Sequence, residues 1–488
     1  MRRVTPGGSG TRNRGRAIAS PRHTRTRRPS PNFGVPFNLI VPTKIDQARC
    51  VALAAELGDA WAADEMNALQ AAGLLYEIDM TMMALEPETV THQTTGSNEV
   101  RFTPGTLTVL QQDPQSKQLT PVLIQVSHKD GPTKTYLPTD TGNTWLYALQ
   151  AAKTSIAVSG IWLGHVYHWH IVCAALEMTM YQALPRDHRI WSMLEAPSQS
   201  LIDFDFVLLK VGWDTIAPPT PVSGADALRS LLVQFSENRC FFDDDPLSEL
   251  KQHRLDVADF RVHEDWDAYP VVGYLLKIWD LTHEYVAEVV KVLYPTDGDV
   301  KNDPGLKAWM DASRDPSQGN ISGLQAVDTH ADLIRVLTSF VYRLTAHGAS
   351  SLSPSVNPAL AFVANFPPCL QSDVLPEPGS DMTIQQLLDL LPHTGTQGGM
   401  TTFYFTFAYT PPDQTLIPSG GINLDPYYPP QYQACNDALS RFRQGVRDFV
   451  GTYTAGLDHA LREWWGLKSG APADPDDLYQ QWPPGIEI

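Results

Sequence analysis

Residues Gly160–Val172 read GIWLGHVYHWHIV, with His165, His168 and His170 inside a run that is otherwise apolar. Imidazoles in such company either find protein partners for their ring nitrogens or hold something else, and a metal ion is the obvious choice. Spacing limits which of them could share one ion. On an α-helix each residue advances by about 100°, so His165 and His168 would lie roughly 60° apart and could face one point. His165 and His170 would lie roughly 140° apart. A π-type turn, whose hydrogen bonds run from i to i+5, brings that second pair together instead. Spacing leaves both pairs open. Any one of these histidines can also be a satisfied core residue.

The elements that position this run must come from a chain of 488 residues, 43% hydrophobic and 18% charged. That supports one large folded unit or two of ordinary size. The 39 prolines and 33 glycines forecast long loops. No apolar run is long enough to span a membrane. The cysteines, Cys50, Cys173, Cys240, Cys369 and Cys435, are scattered and odd in number. They match no zinc spacing and no disulfide framework, which points to a reducing, cytoplasmic setting. The chain carries a net charge of −18, yet residues 1–45 hold nine arginines and no acid. The body is therefore strongly acidic. It repels phosphates, so no nucleic-acid partner is expected, and contact with a membrane surface would be peripheral. Residues 1–35 form an Arg-rich tail too polar to fold. Pro6, Pro21 and Pro29 interrupt the amphipathic helix a mitochondrial presequence would need, and no secretory apolar region exists.

From Ile45 to about Met83 the periodicity predicts helix. Phe102–Ser127 holds two β-branched stretches around a polar turn, which predicts a hairpin. After Thr141 the helical period dominates, most clearly over Val271–Leu293, Ala331–Ala346 and Ala434–Thr452. The expected architecture is mainly α with a small β element. Leu333, Val336, Leu337, Phe340, Val341 and Leu344 recur three and four apart, so their helix should be central. His347 continues the same face.

The segment after the histidine run reads AALEMTMYQALPRDHRIWSMLEAP, Ala174–Pro197. Here the chain resembles the lipoxygenases, in which a W-x-x-H-x-x-x-x-H helix leads to an L-P/S-x-x-H-P stretch. Trp162, His165, His170, Leu184, Pro185 and His188 fill that pattern, and Arg189 stands where the family generally has proline. The segment TYLPTD at Thr135–Asp140, followed by AAKTSIAVSG at Ala151–Gly160, is similar to the family's approach to its metal helix. Asp299, Val300, Asp303, Leu306 and Trp309 resemble a D-x-x-V-x-x-D-x-x-L-x-x-W segment, apart from its first gap. LIRVLTSFVYRLTAH, Leu333–His347, resembles the second metal helix, and Pro483–Ile488 the family terminus.

The resemblance implies a lipoxygenase-like helical bundle over residues 36–488, a compact catalytic-domain form, built around a buried metal. Its ligands would be His165, His170, His347 and the α-carboxylate of Ile488. Ser351 occupies a further ligand position where the family usually has Asn. His168 and His188 become supporting histidines just outside the ligand set. Leu184, Leu194, Phe206 and Leu208 become candidates to line an apolar substrate channel. The implied cofactor is one non-haem iron, or manganese. The implied reaction removes a bis-allylic hydrogen from a polyunsaturated fatty acid through a metal-bound hydroxide, and O2 then adds to give a hydroperoxide. A monomer is expected. Three alternatives stay open: the same scaffold as a hydroperoxide isomerase, an enzyme for an atypical unsaturated substrate, or a scaffold that has lost its metal and only binds lipid or protein. A capsid-like structural protein rests on the arginine arm alone.

Overall fold

The computed structural model describes residues 41–57, 60–91, 98–115, 119–198, 202, 225–255, 270–344, 367, 369–392 and 428–464. The first element, strand β1 (Thr43–Lys44), leads into helices α1 (Gln47–Leu57) and α2 (Ala60–Ala71). The helix expected over Ile45–Met83 does not run through. Gly73 takes φ +70, which ends α2, and Leu75–Met80 forms strand β2. Leu75, Tyr76 and Ile78 are buried there, so sheet pairing overrides the local helical period.

Strands β3 (Glu88–Thr91) and β4 (Asn98–Arg101) make a separate hairpin. The expected hairpin over 102–127 forms as β5 (Gly105–Gln112) and β6 (Leu119–Ser127), extended by β7 (Thr133–Tyr136). The antiparallel sheet runs β1-β2-β5-β6-β7, with a register shift between Val109 and Leu110. Its two faces serve different cores. Leu107, Val109, Val122 and Leu123 meet α1 and α2, whereas Leu110, Ile124 and Val126 join the main helical core.

Helix α3 (Thr144–Ser159) then enters the centre of that core; Tyr147 through Val158 are buried without exception. A helix enclosed on every side belongs to the middle of a large domain. It continues without a break into a π-helix, Gly160–Ile171, and then α4 (Val172–Ala183). Around this rod lie α5 (Trp191–Ser198), α6 (Ala225–Glu237), α7 (Pro246–Gln252), α8 (Pro270–Leu293), α9 (Asp297–Lys301), α10 (Pro304–Arg314), α11 (His330–Tyr342), α12 (Ile384–Asp389) and α13 (Gln433–Trp464). Helix α8 packs on both α11 and α13, α10 packs on α4, and α6 packs on the π-helix.

Local chemistry starts these helices. Thr296 and Asp299 form a reciprocal cap at α9, as do Thr329 and Asp332 at α11. Asp303 caps α10 by accepting from the backbone N–H groups of Gly305 and Leu306.

Candidate metal centre

The π-helix brings one of the two histidine pairs into backbone register. With hydrogen bonds closing from i to i+5, His165 and His170 stand one turn apart along the same side of the backbone. For His165 the structure describes the backbone and not the side chain. His170 and His168 are both buried, each 5% exposed.

His168 is spoken for. Its Nδ1 lies 2.7 Å from Asp244 Oδ2 and donates to it. Tyr167 and Phe235 close over the imidazole edge-on, at centroid distances of 5.1 and 5.3 Å. The Cys173 thiol lies 3.8 Å from the His168 carbonyl, at the seam where the π-helix reverts to α. Burial pushes the His168 imidazole toward its neutral form against the pull of Asp244. Burial works against the Asp244 charge too. The proximity and hydrogen bond of His168, with the guanidinium groups of Arg343 and Arg239, nevertheless hold that carboxyl well below the usual carboxylate range.

Asp244 and Asp245 sit on the turn between α6 and α7, and they also reach α11. Arg343 Nη2 lies 3.8 Å from Asp244 and 3.9 Å from Asp245, and Ser339 Oγ donates to Asp245 Oδ2 at 2.9 Å. Arg239 approaches Asp244 Oδ1 at 3.3 Å. Arg343 is 1% exposed, lies over the Phe241 ring and donates to the Phe241 carbonyl. This network was not legible in the sequence. The run Asp243-Asp244-Asp245-Pro246 signals a helix start, since proline suits the first helical position. Nothing in it points to a histidine far upstream.

Helix α11 changes to π-type hydrogen bonding at Arg343–Leu344, the last two residues described on that rod. His347, Ser351 and Ile488 lie outside the described residues, as do Phe206 and Leu208. Among the described residues, no group of three or more His, Cys, Asp or Glu side chains is arranged to hold a metal. The donor chemistry on the π-helix nonetheless suits a first-row ion. His165 and His170 share one backbone register, the His170 side chain is buried, and His168 is committed to a carboxylate.

His188 serves a different junction. Its Nε2 lies 3.0 and 3.1 Å from the two Asp303 oxygens, and its Nδ1 accepts from the Ile190 N–H at 3.4 Å. Asp303 also accepts from the Tyr294 hydroxyl at 3.0 Å. Burial opposes its charge, but these bonds and its backbone caps bring the carboxyl down to about 2. Arg189 stacks over the Tyr294 ring at 4.6 Å and donates to the Leu293 carbonyl at 2.8 Å. Gly305 is required here, because a Cβ would stand 2.8 Å from His188 Cδ2. Trp309, wholly buried, donates from Nε1 to the Leu176 carbonyl at 3.1 Å and fastens α10 to α4. The Asp299–Trp309 motif is thus the strut that braces the histidine rod. Leu184 and Leu194 are buried in the main core.

Comparison with known proteins bears on the fold. The family model described as Lipoxygenase matches residues 258–392. The polyunsaturated fatty acid lipoxygenase ALOX15B of Rattus norvegicus is 26% identical over 295 residues, 57% of this chain and 40% of its own. The hydroperoxide isomerase ALOXE3 of Mus musculus is 23% identical over 329 residues, 64% of this chain and 44% of its own. The chain thus spans less than half the length of these curated relatives. Its fold is similar to that of the fungal lipoxygenase from Fusarium graminearum, with a TM-score of 0.70 at 15% identity, covering 92% of this chain and 77% of that one.

Proposed function

We propose that the chain is a lipoxygenase-type fatty acid dioxygenase, converting a polyunsaturated fatty acid and O2 into a hydroperoxide, a reading supported by its similarity to lipoxygenases in sequence and in fold. The observation that carries this is the π-helix, which sets His165 and His170 in i, i+5 register at the centre of the fold. His165 and His170 would supply two nitrogens; His347 and the Ile488 α-carboxylate, both outside the described residues, are proposed as a third nitrogen and an anionic oxygen. Ser351 is a further oxygen within the same set. Such donors suit iron first and manganese second. When bound, the ion supplies the one-electron chemistry that opens a bis-allylic C–H bond to attack by O2.

The chain's own residues place and shield that reaction. His168 stays with Asp244 and so frames the ligand pair without joining it. Leu184 and Leu194, both buried in the main core, are proposed together with Phe206 and Leu208, which lie outside the described residues, as lining for an apolar channel that would take the acyl chain. The His188–Asp303 strut and the Trp309 hydrogen bond keep the rod from shifting against α10. No helix among the described residues is long and apolar enough to cross a membrane. We place the protein in the cytoplasm as a monomer that meets its lipid by peripheral contact.

Oxygen uptake together with conjugated-diene absorbance on linoleate tests the activity. Both signals are expected from the iron-loaded chain, and iron-loaded protein giving neither contradicts a dioxygenase. Similarity to a hydroperoxide isomerase supports a second reading. In that case a fatty acid hydroperoxide is consumed without oxygen uptake.

A further inference from the structure

Within the functional reading above, one question remains in the local chemistry of the π-helix. Three imidazoles lie within six residues, and any of them is a competent ligand. In an α register His165 and His168 would be the facing pair, roughly 60° apart. A chain with this sequence therefore carries a built-in alternative to its own ligand set. Something must hold the alternative closed.

The turn between α6 and α7 does so. Asp244 takes the Nδ1–H of His168 at 2.7 Å, and the same carboxylate faces Arg343 of the α11 rod at 3.8 Å. Its neighbour Asp245 takes the Ser339 hydroxyl of α11 at 2.9 Å. His168 lies three residues after His165 and two before His170, and Arg343 stands four positions before His347 in the sequence. One short acidic turn thus grips both the π-helix, beside His170, and the end of α11. The grip is almost dry: Arg343 is 1% exposed, Ser339 0% and Asp245 4%. Apolar packing alone could hold two helices together. It would not orient an imidazole, because it has no direction; the hydrogen bond to a carboxylate does.

We propose that Asp244 is a positioning residue for the metal site: it ties His168 out of the ligand set and, through Arg343, fixes the π-helix that carries His165 and His170 against the end of α11. The negative role matters as much as the positive one. With Asp244 neutralised, His168 is released to compete for the ion, and the π register loses its advantage over the α register.

The test uses the full chain loaded with ferrous iron and follows iron loss to a chelator, the ferric EPR line shape after oxidation with ferricyanide, and the melting temperature of the iron-free protein. D244N is expected to release iron about 10-fold to 100-fold faster than the parent, the range usual for partners of metal ligands, and to change the EPR rhombicity. Adding H168Q to D244N removes the competing imidazole, so the double variant is expected to recover most of the parent's retention and line shape. H168Q alone, whose amide can still donate to Asp244, is expected to hold parental iron with a parental signal. That arm stands even if D244N does not fold. A merely structural Asp244 would lower the iron-free melting temperature, leave the EPR line shape alone and gain nothing from H168Q. D244N with parental release and signal, a double variant no better than D244N, or an H168Q protein with an altered ligand signature would each overturn the proposal. A parent chain that takes up no iron would overturn the functional reading and this proposal with it. A parent that holds iron while D244N matches it overturns this proposal alone.

Discussion

Trp309 shows what single side chains contribute around the histidine rod. Its indole N–H donates to the Leu176 carbonyl, which also accepts from the Thr179 hydroxyl at 2.9 Å, and its ring is wholly buried. Trp309→Phe removes that donor and leaves a gap the size of the lost ring. Urea unfolding should show a loss of about 2 kcal/mol. A change under about 0.5 kcal/mol would mean α10 braces the rod some other way. At this scale the sequence was partly legible. The Asp299–Trp309 spacing marked residues that matter, but not that they are caps and a strut. The tie from Asp244 to His168 left no trace, because a pairing between residues far apart in the chain has no local pattern to read.

Individual elements were legible where one period ruled. The helices expected near Val271–Leu293 and Ala434–Thr452 form as α8 and α13. The stretch Leu75–Met80 was misread, because its strand exists only through pairing with β1 and β5. The π-helix lay between these cases: spacing offered it as one of two registers and could not choose. Helix α11, the second rod, depends on its start. Thr329 accepts from the Asp332 N–H, and the Asp332 carboxylate accepts from the Thr329 N–H in return. Thr329→Ala should cost about 1 kcal/mol in urea unfolding, and Thr329→Ser should recover most of it. Equal losses from both would place the effect outside the cap.

For the whole molecule, the buried acids of the α6–α7 turn make stability depend on pH. Burial pushes the Asp245 carboxyl up to about 6 from its ordinary 3.8, more than Arg343 and the Ser339 hydrogen bond pull it down. The folded chain therefore holds this proton more tightly than the unfolded chain. The contribution is complete below about pH 4 and is lost as the pH rises through about 6. Glu249, raised to about 7 by burial and then by Asp244, acts in the same direction. D245N should flatten the decline in stability between pH 4 and 7 by roughly 3 kcal/mol relative to the parent. An unchanged slope would show that Asp245 titrates normally. The architecture followed from helical period and family motifs, whereas this charge balance emerged only once distant segments met in space. The central claim is that the rod carrying His170 grips a metal. Iron analysis of the purified parent beside His170→Ala tests it most directly: about one iron per chain is expected in the parent and little in the variant. An iron-free parent, or a variant with the parent's load, would contradict it.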